Sequence, residues 1–269
     1  MFSLDNIVQL DQDHPGFRDA TYRARRDAIA RIALAHESGA PVPHAPYSDA
    51  EHGVWALILG QLAPLHRRLV CRELNEVSEA LALPTDRIPQ LAEVNARLVQ
   101  GVGFRMEPVA GLVKARLFLE YLGMGVFLST QYIRHHSKPM YTPEPDVVHE
   151  LVGHAASLLH PGVCALSRLF GQRAKEARDE AEIERLTRLY WYTLEFGVCL
   201  QDGELKAVGA GLLSSIGELQ RSTSGETPTA PWDLQRIEAT PYDPTTYQPV
   251  VFVAPSFQAM LDDLGAWLG

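Results

Sequence analysis

Apolar residues recur at helical spacing in five stretches, whereas only two short runs have the composition of strands. The sequence therefore predicts a mainly α protein with a few short β-strands. Length supplies the third observation. A chain of 269 residues is long enough for one large core, so a single domain over residues 1–269 is expected.

The elements follow in order. Residues 17 to 36 carry apolar positions at helical spacing with Arg and Asp between them. Gly39, Pro41, Pro43 and Pro46 then exclude a helix from Ser38 to Tyr47 and predict a surface connector. Tyr47 within it is read as a lid residue or as plain surface, with plain surface favoured. Residues 49 to 81 predict one or two amphipathic helices, marked by Trp55, Leu57, Leu59, Leu62 and Leu69, and residues 112 to 125 predict another. The run Val126 to Ile133 is β-prone. A helix is expected from about Glu180 to Cys199, with Asp202-Gly203 as its stop signal. Tyr247 to Val253 reads as a strand and Ser256 to Leu268 as a closing helix.

Composition narrows the function. Hydrophobic residues make up 46% and charged residues 21%, as in ordinary globular proteins, so a disordered chain is excluded. A net charge of -9 disfavours a nucleic-acid partner, which would want a basic face. Cys71, Cys164 and Cys199 are too scattered for a disulfide framework and read as reduced, partly buried thiols of a cytoplasmic protein. The start Met1-Phe2-Ser3-Leu4-Asp5 has no signal-peptide pattern, and the most apolar stretch, Leu117 to Thr130, is too short and broken to span a membrane.

The chemistry concentrates in Tyr141 to His154. Asp146 is placed to cap a helix whose first turn holds His149. His149 and His154 are five residues apart, which on an ideal α-helix leaves them roughly 140° apart. A zinc-peptidase helix needs a spacing of four, so His149-Glu150 does not fit that motif. The two imidazoles converge only if the helix start is frayed or the helix is distorted; otherwise one caps a helix and the other makes a polar core contact. Glu195 lies in the most apolar part of its helix, on one face with Thr187 and Trp191. Such a carboxylate is metal-bound, paired with an Arg, or at the solvent edge. Two His and one carboxylate make the facial set that leaves iron positions open for oxygen. Arg134, His135, His136 and Lys138 form a basic cluster that either receives a substrate carboxylate or is a solvated patch. Gly209-Ala210-Gly211 lacks the third glycine of a dinucleotide loop and reads as close backbone packing near a site.

These residues resemble the catalytic domain of the pterin-dependent aromatic amino acid hydroxylases. The carrying stretches run in order along nearly the whole chain: Asp13–Phe17, Tyr22–Arg26, Gly103–Arg105, Pro108–Leu112, Gln131–His135, the long block Ser137–His154, Tyr190–Gly197 and Gly209–Ser215. The resemblance implies Fe(II) held by His149, His154 and Glu195, which together form the catalytic centre. It implies that Arg134 holds the amino acid carboxylate, with Thr142 and Asp146 orienting the substrate. Pro143, Trp191, Phe196 and the ring of His149 would wall the aromatic pocket, with Gly211 on the substrate side. Ser214 would support His149. Phe118 would stack on a tetrahydropterin (tetrahydrobiopterin or a related pterin), backbone groups of Gly111, Leu112 and Val113 would hydrogen-bond it, and Glu150 and Tyr190 would line that side. Tyr47 matches a mobile-loop tyrosine. The implied reaction takes O2 as co-substrate and releases a 4a-hydroxypterin.

Ala115 stands where animal phenylalanine hydroxylases usually have a pterin-contacting Ser, and Leu128 replaces a His. The resemblance further leads us to expect neither an N-terminal regulatory domain nor a C-terminal tetramerisation arm, and hence a monomer or at most a weak dimer. Trp191 matches the phenylalanine and tyrosine types, and Pro244 stands where the tyrosine type has Asp. Phenylalanine is thus the expected substrate and para the default ring position. Meta-hydroxylation, tyrosine and tryptophan remain alternatives. A zinc hydrolase using Glu150 as base and a non-catalytic pterin or amino-acid sensor are the readings from other classes.

Overall fold

The computed structural model describes residues 8, 10–140, 142 and 144–269. Helices form most of it. α1 (Ala20–Leu34) is capped by Asp19, whose side chain accepts from the Tyr22 backbone N–H. The connector follows. α2 (Asp49–Leu69) starts with a reciprocal capping box between Ser48 and Glu51, and α3 (Arg72–Leu81) and α4 (Leu91–Val102) complete the first half. β1 (Arg105–Pro108) pairs in parallel with β2 (Val126–Ser129) across α5 (Ala115–Gly123). The remaining helices are α6 (Ala156–Leu158), α7 (Pro161–Glu176), α8 (Glu180–Tyr190), α9 (Ala210–Leu213), α10 (Ile216–Ser224), α11 (Leu234–Ala239) and α12 (Phe257–Leu268).

A second sheet of four short strands runs in the order β4-β3-β6-β5: β3 (Val198–Gln201), β4 (Glu204–Ala207), β5 (Thr229–Pro231) and β6 (Val251–Ala254). β3 and β4 are antiparallel; β6 runs parallel to both β3 and β5. One apolar cluster joins the halves, from Trp55, Leu62 and Leu74 through Phe104 and Leu151 to Tyr192, Leu213 and Phe252. Among the described residues no helix is long and apolar enough to cross a membrane.

Several expectations are corrected. The helix expected to reach Cys199 ends its α form at Tyr190, and Val198 and Cys199 lie in β3. Both are fully buried, and an apolar run of that kind reads alike in a buried strand and a buried helix. Asp202-Gly203 is accordingly not a helix stop. It is the turn of the β3–β4 hairpin, with φ of 55° and 81°, the primed-turn geometry that matches strand twist. The expected strand from Tyr247 begins only at Val251, because Gln248 turns inward to a polar contact. The β-prone run ends at Ser129, and the irregular segment after it carries the buried Arg134 and Tyr132. All three cysteines are reduced and buried.

Tyr47 is not plain surface. Its ring is half-buried and its hydroxyl donates to the Gln131 carbonyl at 2.8 Å, which ties the connector to the segment leading into the site. A lid movement of this tyrosine would have to break that bond. Arg134 to Lys138 is not one basic patch either. Arg134 is buried and engages Asp146, His135 is buried against Asp19 and Ser137, and His136 is exposed.

Candidate metal centre and aromatic pocket

Asp146 sets the start of the metal-side helix. Its Oδ1 accepts from the His149 backbone N–H at 3.2 Å, as an N-cap should. From His149 to Ala155 the chain is a π-helix. A turn closed by i→i+5 hydrogen bonds stacks residues five apart, as an α turn stacks residues four apart. The widened turn is the distortion that the His149/His154 spacing required. It brings the two Nε2 atoms to 3.0 Å. A second π turn, Trp191–Glu195, closes α8 and delivers Glu195. Glu195 Oε1 lies 3.3 Å from His149 Nε2, and Oε2 lies 3.0 Å from His154 Nε2.

Two carboxylates approach the imidazoles, and their surroundings differ. Glu150 also sits with a carboxylate oxygen within 4.8 Å of both His. Its Oε1, however, accepts from the Thr130 backbone N–H at 3.1 Å and from the Thr130 hydroxyl at 2.9 Å. Glu195 is ringed by the two imidazoles and takes no such donors among the described residues. Burial pushes Glu150 up to about 7, against the opposing pull of His154 and Thr130. Burial also acts to raise Glu195, but the facing His149 and His154 outweigh it and hold that carboxyl below its ordinary range.

The imidazoles differ as well. Burial pushes His149 down to about 4. The same burial acts on His154, yet the Glu195 charge prevails and holds it above its ordinary value. Both imidazoles must be neutral to ligate a metal ion, so binding one at this pair would be coupled to proton release. Ser214 fixes the tautomer of His149. Its hydroxyl donates to the Ala210 carbonyl at 2.9 Å, leaving a lone pair for His149 Nδ1–H at 3.0 Å. His149 Nε2 then points a lone pair inward. Two imidazole nitrogens and one carboxylate converging around a common point fit a divalent first-row metal, and this donor set suits iron(II).

The α9 segment packs hard against this centre. A Cβ on Gly209 would lie 2.2 Å from the Glu195 carbonyl, and one on Gly211 would lie 2.8 Å from Glu195 Oε1 and 2.7 Å from the Phe196 ring. Glycine there is a requirement of close approach.

Aromatic groups flank the centre on two sides. On one, Trp191 packs on Phe196 with centroids 4.7 Å apart and stacks on Tyr242 at 4.2 Å. Its Nε1–H donates to Gln248 Oε1 at 2.8 Å. On the other, Phe118 packs edge-on to Phe127 and Tyr190, and Phe127 lies 4.6 Å from the His154 ring. Gly111 and Val113 are half-buried and Leu112 exposed in the loop before α5. Arg134 donates from Nε and Nη2 to Asp146 at 2.8 and 2.7 Å, a buried bidentate pair that leaves Nη1 outside it. Burial acts to raise Asp146, but Arg134 outweighs it and holds the carboxyl below its usual range. Thr142 Oγ1 donates to the Glu144 carbonyl at 2.7 Å, and Glu144 accepts from the buried Arg26 at 2.9 Å. Pro143 lies outside the described residues.

Sequence reasoning missed Thr130, Tyr242 and Gln248. Nothing in local spacing marks them, since each reaches the site from a segment distant in the chain.

A family model described as biopterin-dependent aromatic amino acid hydroxylase matches residues 3–268. Tyrosine 3-monooxygenase of Mus musculus is 46% identical over 259 residues, 95% of this chain and 52% of the relative. Phenylalanine-4-hydroxylase of Caenorhabditis elegans is 43% identical over 264 residues, 97% and 58% of the two chains. A solved structure of Chromobacterium violaceum phenylalanine hydroxylase, with bound iron(III) and oxidised cofactor 7,8-dihydrobiopterin, superposes with a TM-score of 0.80 at 31% identity and covers 89% of this chain and 90% of that one. The chain belongs to the biopterin-dependent aromatic amino acid hydroxylase family. It spans about half the length of the curated relatives it matches.

Proposed function

We propose that this chain is an Fe(II)- and tetrahydropterin-dependent monooxygenase that hydroxylates the ring of L-phenylalanine, at the para carbon by default. The observation that carries this reading is the convergence of His149, His154 and Glu195 within about 3 Å of one another beside the Trp191–Phe196 pocket. His149, His154 and Glu195 would hold the iron. When bound, iron and pterin together supply the activation of O2.

The remaining work belongs to the chain. Arg134 would receive the amino acid carboxylate through Nη1 while Asp146 holds its guanidinium plane still. The ring would lie against Trp191, Phe196 and the His149 imidazole, with Gly211 letting Phe196 and Glu195 pack closely behind it. Ser214 keeps His149 in one tautomer. Phe118 would stack on the pterin, with Gly111, Leu112, Val113, Tyr190 and Glu150 around it. Thr130 fixes Glu150 by two hydrogen bonds onto Oε1. That fixation also argues against Glu150 as the base of a hydrolase.

A second reading, hydroxylation of tyrosine, is favoured by the 46% identity to tyrosine 3-monooxygenases. Against it stands Pro244, in the loop whose Tyr242 stacks on Trp191. The purified protein, supplied with Fe(II), tetrahydropterin, O2 and each aromatic amino acid in turn, should convert phenylalanine to tyrosine, identified by mass spectrometry and NMR. Dihydroxyphenylalanine as the main product would favour the second reading. No hydroxylated product from any of them would overturn the proposal.

A further inference from the structure

Ser215-Ile216-Gly217-Glu218 has the sequence of a capping box. Ser215 fills its half, accepting from the Glu218 backbone N–H at 3.3 Å. In a capping box the glutamate folds back to the serine N–H. Here it does not. Glu218 Oε1 instead accepts from the Gln248 backbone N–H at 3.0 Å, thirty residues away. Glu218 and Gln248 are both buried, and Glu218 Oε2 has no partner among the described residues. A buried carboxyl group with one unpartnered oxygen is costly. Burial accordingly pushes it up from its ordinary value.

The contact holds the backbone of Gln248, from which its side chain reaches the site. The side-chain carbonyl of Gln248 accepts from Trp191 Nε1–H at 2.8 Å. Trp191 in turn packs on Phe196 and stacks on Tyr242 at an interplanar angle of 18°. Stacking fixes the plane of the indole but leaves it free to slide and turn within that plane. A hydrogen bond at Nε1 removes this freedom, because only one orientation points the N–H at Gln248. We infer that Glu218 and Gln248 are positioning residues: Glu218 anchors Gln248, and Gln248 sets the in-plane orientation of Trp191, so that the pair determines how an aromatic substrate ring sits beside Glu195. The inference rests on the proposed function for its substrate, while the hydrogen-bond relay itself does not depend on that function.

Two measurements test it. The first is independent of activity. In ¹⁵N-labelled protein the chain's four tryptophans give separate indole N–H signals, and Trp191→Phe identifies that of Trp191. Gln248→Leu and Glu218→Leu should both move the Trp191 signal toward that of an unbonded indole, leaving the other three in place. Glu218→Gln, which keeps the acceptor oxygen, should restore it. The second is kinetic. In iron-loaded enzyme Gln248→Leu should raise the KM for phenylalanine about fivefold, the loss expected of one hydrogen bond. It should also lower the amount of product formed per tetrahydropterin oxidised, with the KM for pterin unchanged. A Trp191 signal that stays put in Gln248→Leu, or Glu218→Gln behaving like Glu218→Leu, overturns the relay. A moved signal with unchanged phenylalanine KM and coupling overturns its role in placing the ring. Failure of wild-type enzyme to hydroxylate anything counts against the proposed function, and the NMR result stands apart from it.

Discussion

Among the described residues two stretches leave the α-helix for a π turn, and each delivers part of one cluster of two imidazoles and a carboxylate. The first, His149–Ala155, carries two imidazoles; the second, Trp191–Glu195, carries one carboxylate and the Trp191 indole. The first announces itself in the sequence. Two histidines five apart are misplaced on an α-helix, so either they do not meet or the helix is not α. The second announces nothing, because a single carboxylate has no spacing to violate. Its π turn is visible only in space, where Glu195 reaches both imidazoles and Trp191 turns toward Gln248. A distorted helix is therefore legible when it carries a pair of functional groups and silent when it carries one.

Substitutions can break this comparison, and the largest effect should come from the silent turn. Glu195→Ala should lose iron and bring turnover to background, measured by metal analysis and product formation. Glu150→Gln should keep its iron, because Thr130 already engages that carboxylate. If the two variants behave the other way round, the assignment of the third ligand is wrong.

The next largest effect belongs to the residue that starts the first π turn. Asp146→Ala should destabilise the fold by about 3–5 kcal/mol in chemical denaturation, since it leaves Arg134 buried without its partner. The same pair predicts a pH effect. The Asp146 carboxyl is held below its ordinary value of 3.8, so its contribution is fully present above that value. It should be lost as pH falls from 3.8 through the lower folded value, and the Asp146→Ala variant should lack this part of the acid transition.

A smaller effect should follow from Ser214→Ala, which leaves the His149 ring in place but frees its tautomer. Iron affinity should drop by about 10- to 100-fold, read by competition with a chelator. An unchanged affinity would mean that packing alone orients His149.

Much of the rest was legible for similar reasons. Asp146 marks a helix start through its capping chemistry, and it caps as expected. Gly209 and Gly211 read as close packing, and Glu195 is what they pack against. The misreadings share a cause. Val198-Cys199 is apolar in strand or helix alike, and Asp-Gly serves a hairpin turn as well as it ends a helix. Arg134 looked like part of a basic patch because Asp146, twelve residues on, meets it only in the folded chain. Thr130, Tyr242 and Gln248 stayed invisible because their contacts, from Thr130 to Glu150 and from Tyr242 and Gln248 to Trp191, depend on tertiary packing.

The most direct test of the centre follows the oxygen atom. Iron-loaded protein supplied with phenylalanine, tetrahydropterin and ¹⁸O2 should form tyrosine carrying one ¹⁸O in its new hydroxyl, and Glu195→Ala should form none. Product that takes its oxygen from water, or that forms equally well without iron or without pterin, would contradict the account.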